Sequence, residues 1–157
     1  MPGIDRLDGR ILELFAAEPR VGVLEASRRL GVARGTVQAR LDRLVRDGVV
    51  RGWGPDISTD AIGYPVTAFA TLQIEQGTGH TAPARALAEI PEVLEVHTIT
   101  GAGDLWCRIV ARSNSDLQRV IDAVVAVPAV QRASTVIALA EQVPHRVLPL
   151  IAEATRT

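Results

Sequence analysis

Lysine is missing from this 157-residue chain, whose 17 basic residues are all arginine. That absence excludes Schiff-base catalysis through a lysine amine and any Gly-Lys-Ser/Thr phosphate loop. Cysteine is nearly missing as well. With Cys107 alone, neither an intrachain disulfide nor a multi-cysteine zinc site can form. His80, His97 and His145 are too widely separated to suggest a metal motif. The aromatic residues are Phe15, Trp53, Tyr64, Phe69 and Trp106 only. They offer few platforms for stacking unpaired bases and leave the core to Val, Ile, Leu and Ala. No apolar run approaches the ~18 residues of a membrane helix, and no basic-then-apolar leader opens the chain. A soluble cytoplasmic protein without cofactor, metal or catalytic constellation is the expectation.

What the chain does have is enough apolar residue, 47% against 22% charged, to build a packed core in one large or two small domains. Its formal charge of −1 conceals a division. Residues 1–54 sum to +3 and residues 55–157 to −4, and the window from Ser27 to Gly54 reaches +5. A basic module therefore precedes an acidic one.

Hydrophobic periodicity divides the chain at the same place. Leu7, Ile11, Leu14 and Phe15 mark one face of a helix from Asp5 to Ala17, with Asp5 as N-cap and Pro19 as terminator. A second helix, Val23 to Leu30, stops at Gly31, and a third begins near Arg34 and ends at Gly48. Two short helices joined through Gly31-Val32-Ala33 form a helix-turn-helix, whose second helix suits a major groove. Val49 to Pro55 reads as a small wing, and 56–65 as a turn-rich linker. Beyond it the predicted order is strand 66–75, helix 82–90, strand 93–100, turn 101–104, strand 105–111, helix 115–127 capped by Ser115, and strand 130–139. That order describes a ferredoxin-like βαββαβ sandwich, so the fold class is α+β, with domains at 1–55 and 66–157. The segment 143–151, with two prolines, reads as a C-terminal arm or strand.

Several of these stretches resemble the Lrp/AsnC family of feast/famine transcription regulators. Ile4-Asp5-Arg6-Leu7-Asp8 with Ile11-Leu12 is similar to that family's opening helix, and Gly31 to Leu41 to its recognition helix. Gly48-Val49-Val50-Arg51-Gly52-Trp53 is similar to its wing, Thr100-Gly101-Ala102-Gly103-Asp104 to its effector-domain turn, and Ser134 to Leu139 to its last strand. The resemblance implies a winged helix-turn-helix followed by a RAM or ACT-like domain that binds an amino-acid-like effector. It also implies a homodimer that can assemble to an octamer and binds a palindromic duplex operator. One departure is Ala33-Arg34 where the family opens its recognition helix with Ser and often Pro; Ala is a poorer N-cap by ~1 kcal/mol.

Residue chemistry fits these roles. Arg34, Gly35, Thr36, Gln38 and Arg40 are candidates for base edges, since Arg pairs with guanine O6/N7, Gln with adenine N6/N7, and Thr with a thymine methyl or phosphate. Arg28, Arg29, Arg43, Arg46 and Arg51 are candidate phosphate contacts; a merely solvated arginine face is the competing reading. For an effector, the 101–104 turn presents backbone amides for a carboxylate and Asp104 for an ammonium. The resemblance places Thr100, Gly101, Gly103 and Asp104 at the pocket, with Ser134 or Thr135 nearby. A plain hairpin turn satisfies the same composition. Siroheme decarboxylases share the two-domain layout, but they carry a His/Asn-Met-Trp motif where this chain has Gly103-Asp104-Leu105-Trp106. A metabolite sensor without DNA binding is a third class, which the +5 window disfavours.

Overall fold

A computed structural model describes residues 3–77 and 79–156. The chain forms two units, one of residues 1–56 with 143–157 and one of residues 57–142.

The first unit begins with α1 (Arg6–Ala17), which opens in a reciprocal capping box. Asp5 Oδ1 accepts from the Asp8 N–H at 2.9 Å, and Asp8 Oδ2 accepts from the Asp5 N–H at 2.9 Å, so two orphan donors of the first turn are satisfied. Helices α2 (Val23–Leu30) and α3 (Arg34–Arg46) follow. Gly31 joins them at φ +69° with nothing near its absent Cβ, so the left-handed turn and not crowding calls for glycine. Ile11, Phe15, Ala26, Leu30, Val37 and Leu41 interlock the three helices. After α3 the expected wing forms no strand among the described residues. The N–H groups of Val49 and Val50 both turn back to the Leu44 carbonyl, at 2.9 and 3.0 Å. Trp53 then meets Phe15 edge-on, with ring centroids 5.5 Å apart.

The same unit contains an element that the sequence reading placed elsewhere. The segment expected as an arm or strand of the second domain contains α6 (Leu148–Ala154), with proline in its first turn. Proline is tolerated there because the first helical N–H groups have no intrahelical acceptor. This helix packs on α1 at Gly9, where an added Cβ would lie 3.0 Å from Thr155 Cγ2 and 3.3 Å from Ile151 Cγ2.

The second unit is a four-stranded antiparallel sheet in which strand 93–98 is at one edge, followed by 105–111 and 66–74, with 130–137 at the other edge. Its elements are β1 (Val66–Ile74), α4 (Thr81–Ala88), β2 (Val93–Thr98), β3 (Leu105–Ala111), α5 (Asn114–Val125) and β4 (Val130–Ile137). Ser113, not Ser115, caps α5, accepting from the Asp116 N–H at 3.0 Å. Alternation along β1 sends Ala68, Ala70, Leu72 and Ile74 into a core with Leu87, Leu117, Val120 and Val124. Cys107 belongs to that core, and burial pushes its thiol up to about 11, which keeps it a packing residue. The opposite face holds Phe69 stacked on Trp106, with centroids 5.1 Å apart, and Trp106 in turn against His97.

Candidate nucleic-acid interface and ligand cleft

Val37, Leu41 and Leu44 recur at helical spacing on α3 and are buried. At 100° per residue, that stripe turns Gly35, Ala39, Asp42 and Arg46 to the opposite side. Thr36, Arg40 and Arg43 lie along one flank, and Arg34, Gln38 and Val45 along the other. Arg34, Gly35, Thr36, Gln38 and Ala39 are all exposed. Ala33 supplies no side-chain cap, and its carbonyl accepts from Thr36 and Val37 at 3.0 and 3.2 Å.

Gly35 apart, the candidate DNA residues fall into three groups by what else their side chains touch. Arg34, Thr36 and Arg51 have no side-chain partner among the described residues. Arg28, Arg29, Arg46 and Gln38 hold exposed surface partners: Arg29 reaches Glu18 at 2.6 Å and Glu25 at 3.0 Å, and Arg28 reaches Glu25 at 3.8 Å. Arg46 lies 3.5 Å from Asp47, and the Gln38 amide donates to Asp42 at 2.8 Å. Exposed pairs of this kind are weak and exchange readily for a phosphate or a base edge.

Arg40 and Arg43 form the third group. Arg40 Nη1 donates to Asp5 Oδ2 and to Asp8 Oδ1, the latter at 3.0 Å, and Arg43 Nη2 donates to Asp8 Oδ2. Asp8 is fully buried, while the two guanidinium side chains are about one-third exposed. The hydrogen bond from Arg40, reinforced by the Asp8 N–H, holds the Asp5 carboxyl down to about 2. Local sequence marks Asp5 and Asp8 as helix-opening residues only. Their partners lie 32 to 35 residues away, and no local pattern reveals the pairing.

In the second unit the 101–104 turn is stitched to the end of β1. The Asp104 N–H donates to the Leu72 carbonyl and its Oδ2 accepts from the Ile74 N–H, both at 2.9 Å. Gly103 lies so close to β1 that an added Cβ would fall 2.4 Å from Thr71 Cγ2 and 3.0 Å from the Leu72 carbonyl oxygen. The Gln73 amide donates to the Ala102 carbonyl at 3.2 Å. Gly101, Gly103 and Asp104, with Gln73, Gln76, His80 and Gln131, line an open cleft of about 630 Å³. Thr100, Ser134 and Thr135 are not among its lining residues. Ser134 pairs with Thr71 and Thr135 with Ala70, so these consecutive residues face opposite sides of the sheet, Thr135 toward the helices. Among the described residues no group of three or more His, Cys, Asp or Glu is arranged to hold a metal ion. Among the described residues no helix is long and apolar enough to cross a membrane.

Comparison with known proteins matches both units. A winged helix-turn-helix DNA-binding family model covers residues 4–51, and the Lrp/AsnC ligand-binding domain model covers residues 67–148. An uncharacterized HTH-type transcriptional regulator of Pyrococcus abyssi is 34% identical over 118 residues, spanning 75% of this chain and 74% of that protein. The HTH-type transcriptional regulator FL11 of Pyrococcus furiosus is 28% identical, spanning 87% of this chain and 89% of that one. The solved structure of E. coli AsnC superimposes with a TM-score of 0.85 at 26% identity, covering 93% of this chain and 99% of that one. With an exposed arginine-bearing helix in a winged helix-turn-helix and a cleft in a domain of the ligand-binding type, the chain belongs to the Lrp/AsnC family of DNA-binding transcriptional regulators.

Proposed function

We propose that the protein binds duplex DNA sequence-specifically as a homodimer on a palindromic operator, and that an α-amino acid or a close relative tunes this binding. The exposed N-terminal half of α3 carries the DNA part. Arg34 and Thr36 keep their hydrogen-bonding groups for a partner, and Gly35 and Ala39 leave the helix midline smooth enough for a groove wall to approach. Gln38 exchanges Asp42 for an adenine edge, and Arg28, Arg29, Arg46 and Arg51 meet phosphates.

The 101–104 turn supports the effector part. The N–H groups of Gly101, Ala102 and Gly103 have no acceptor among the described residues, and Asp104 spends one oxygen on Ile74. A free amino acid fits this pattern, its carboxylate on the amides and its ammonium on the remaining oxygen. Catalysis is no part of this reading. Where the decarboxylase motif would stand, Leu105 is fully buried and the Asp104 carboxylate serves the backbone. For the dimer, the face of the sheet away from the helices is the natural contact, since Phe69 and Trp106 stack there beside Val136, which is 62% exposed.

Enrichment of a randomised duplex library by the intact protein, followed by anisotropy titration, tests the first part. The expected product contains two related half-sites centred about one helical turn apart; failure to bind any duplex at low salt overturns it. Calorimetry against all the common amino acids tests the second. At least one should bind and shift DNA affinity, and Asp104→Ala should abolish that shift; if none binds, the turn is a structural hairpin.

A further inference from the structure

The Asp5–Asp8 pair has a job that helix capping does not exhaust. A capping box needs one oxygen of each carboxylate, and Asp5 Oδ1 and Asp8 Oδ2 supply them. The remaining oxygens, Asp5 Oδ2 and Asp8 Oδ1, both face Arg40 Nη1, while Asp8 Oδ2 is shared with Arg43. Each arginine is thus held by one nitrogen. Arg40 keeps Nε and Nη2, and Arg43 keeps Nε and Nη1, without a partner among the described residues. Both arginines line a groove of about 500 Å³ along α3, together with Gly35, Thr36 and Ala39. A guanidinium is planar and rigid, so fixing one edge orients the other.

From this geometry we infer that Asp5 and Asp8 are positioning residues for DNA recognition. They convert Arg40 and Arg43 from mobile positive charges into pre-set phosphate clamps that engage only when α3 is seated in register. Two carboxylates against two guanidiniums make the cluster neutral, so it adds little to the long-range attraction that any duplex exerts. Its gain is short-range and directional, and the conformational freedom a loose arginine would lose on reaching a phosphate is already lost. Both effects favour the correct site over random sequence. Base reading then falls to Arg34, Thr36 and Gln38, and Arg40, a base-edge candidate in the sequence reading, becomes a backbone contact.

Asp5→Asn in the full chain isolates this role, because Asn caps a helix as well as Asp does, while the charge and the Oδ2 acceptor that holds Arg40 are both removed. Affinity is measured by anisotropy across a salt series, on a duplex enriched by the wild type and on a scrambled duplex of equal length. With the restraint on Arg40 weakened, binding to the scrambled duplex should rise about threefold, and its log–log salt slope should steepen by up to ~1. The ratio of enriched to scrambled affinity should fall about five- to tenfold. Adding Arg40→Gln should cancel most of the further change, the signature of coupled residues. Asp5→Ser, a second strong cap without charge, repeats the reading should the Asn variant fold poorly. An unchanged ratio and slope, whatever happens to thermal stability, would show that the carboxylates only cap α1 and join it to α3. If the wild type enriches no duplex, sequence-specific binding and this role fall together; if it enriches one that Asp5→Asn discriminates equally well, only this role falls.

Discussion

Gly103 shows how strongly one residue constrains the end of the sheet where the 101–104 turn sits. Its missing Cβ would sit 2.4 Å from Thr71 Cγ2 and 3.0 Å from a β1 carbonyl oxygen, and a backbone carbonyl cannot rotate away. Gly103→Ala should therefore destabilise the second unit by about 1–3 kcal/mol, read as a lower urea midpoint, through overpacking rather than any change in turn preference. Asp5 makes a different kind of prediction. Its folded-state pKa of about 2 lies below the ordinary 3.8, so its contribution is present above pH 4 and is lost as pH falls toward 2. Thermal melts from pH 5 to pH 2 should show a shallower decline for Asp5→Asn than for the wild type, and a modest one, because the side chain is half exposed. At the residue scale, exposure and turn geometry are legible where the chemistry is local. The exposed arginines of the third helix and the Gly-x-Gly-Asp turn announce themselves in sequence. Local sequence does not separate Ser134 from Thr135, because which of them faces the helices depends on strand register, nor does it reveal Arg40 tied to Asp8 across two helices.

Elements were legible to the extent that their ends carry a chemical signal. Helices α1, α2 and α3 begin and end within a residue or two of expectation because Asp5, Pro19, Gly31 and Gly48 punctuate them. The cap of α5 lies two residues before the expected one, since Ser113 and Ser115 are both good caps and only backbone geometry chooses between them; Ser113 is extended at φ −161°. Proline misled in the other direction at α6, where Pro149 occupies the one part of a helix that accepts it. Its docking on α1 needs a glycine at position 9, a contact between residues more than 140 positions apart. The weak point of α3 is its start, where Ala33 has no side chain to satisfy the first-turn N–H groups. Ala33→Ser should stabilise the N-terminal unit by about 1 kcal/mol in denaturant titration. DNA affinity should change less than stability, because Ala33 precedes the exposed face that carries Arg34 and Thr36.

At the scale of the whole molecule the arginine-only composition and the near-zero net charge belong together. A +3 N-terminal segment that must find an acidic polymer is joined to a −4 remainder that gains nothing from doing so, and electrostatics alone therefore presents the helix-turn-helix to DNA. A single small module of this size has limited reach on a duplex, and the proposed homodimer would let two copies act together. The sheet face bearing Phe69, Trp106 and Val136 is where that dependence can be tested without disturbing the core. Val136 is 62% exposed, so Val136→Arg costs the isolated fold little, yet it buries an unpaired charge in any face-to-face pairing of sheets. Sedimentation should show the variant as a monomer with an unchanged circular dichroism spectrum. If each subunit neutralises ~4 phosphates, the log–log salt slope of DNA binding should drop from about −7 for the wild type to about half that value. A variant that stays dimeric would move the subunit contact to another surface. A monomer that retains full affinity and slope would show that one helix-turn-helix suffices.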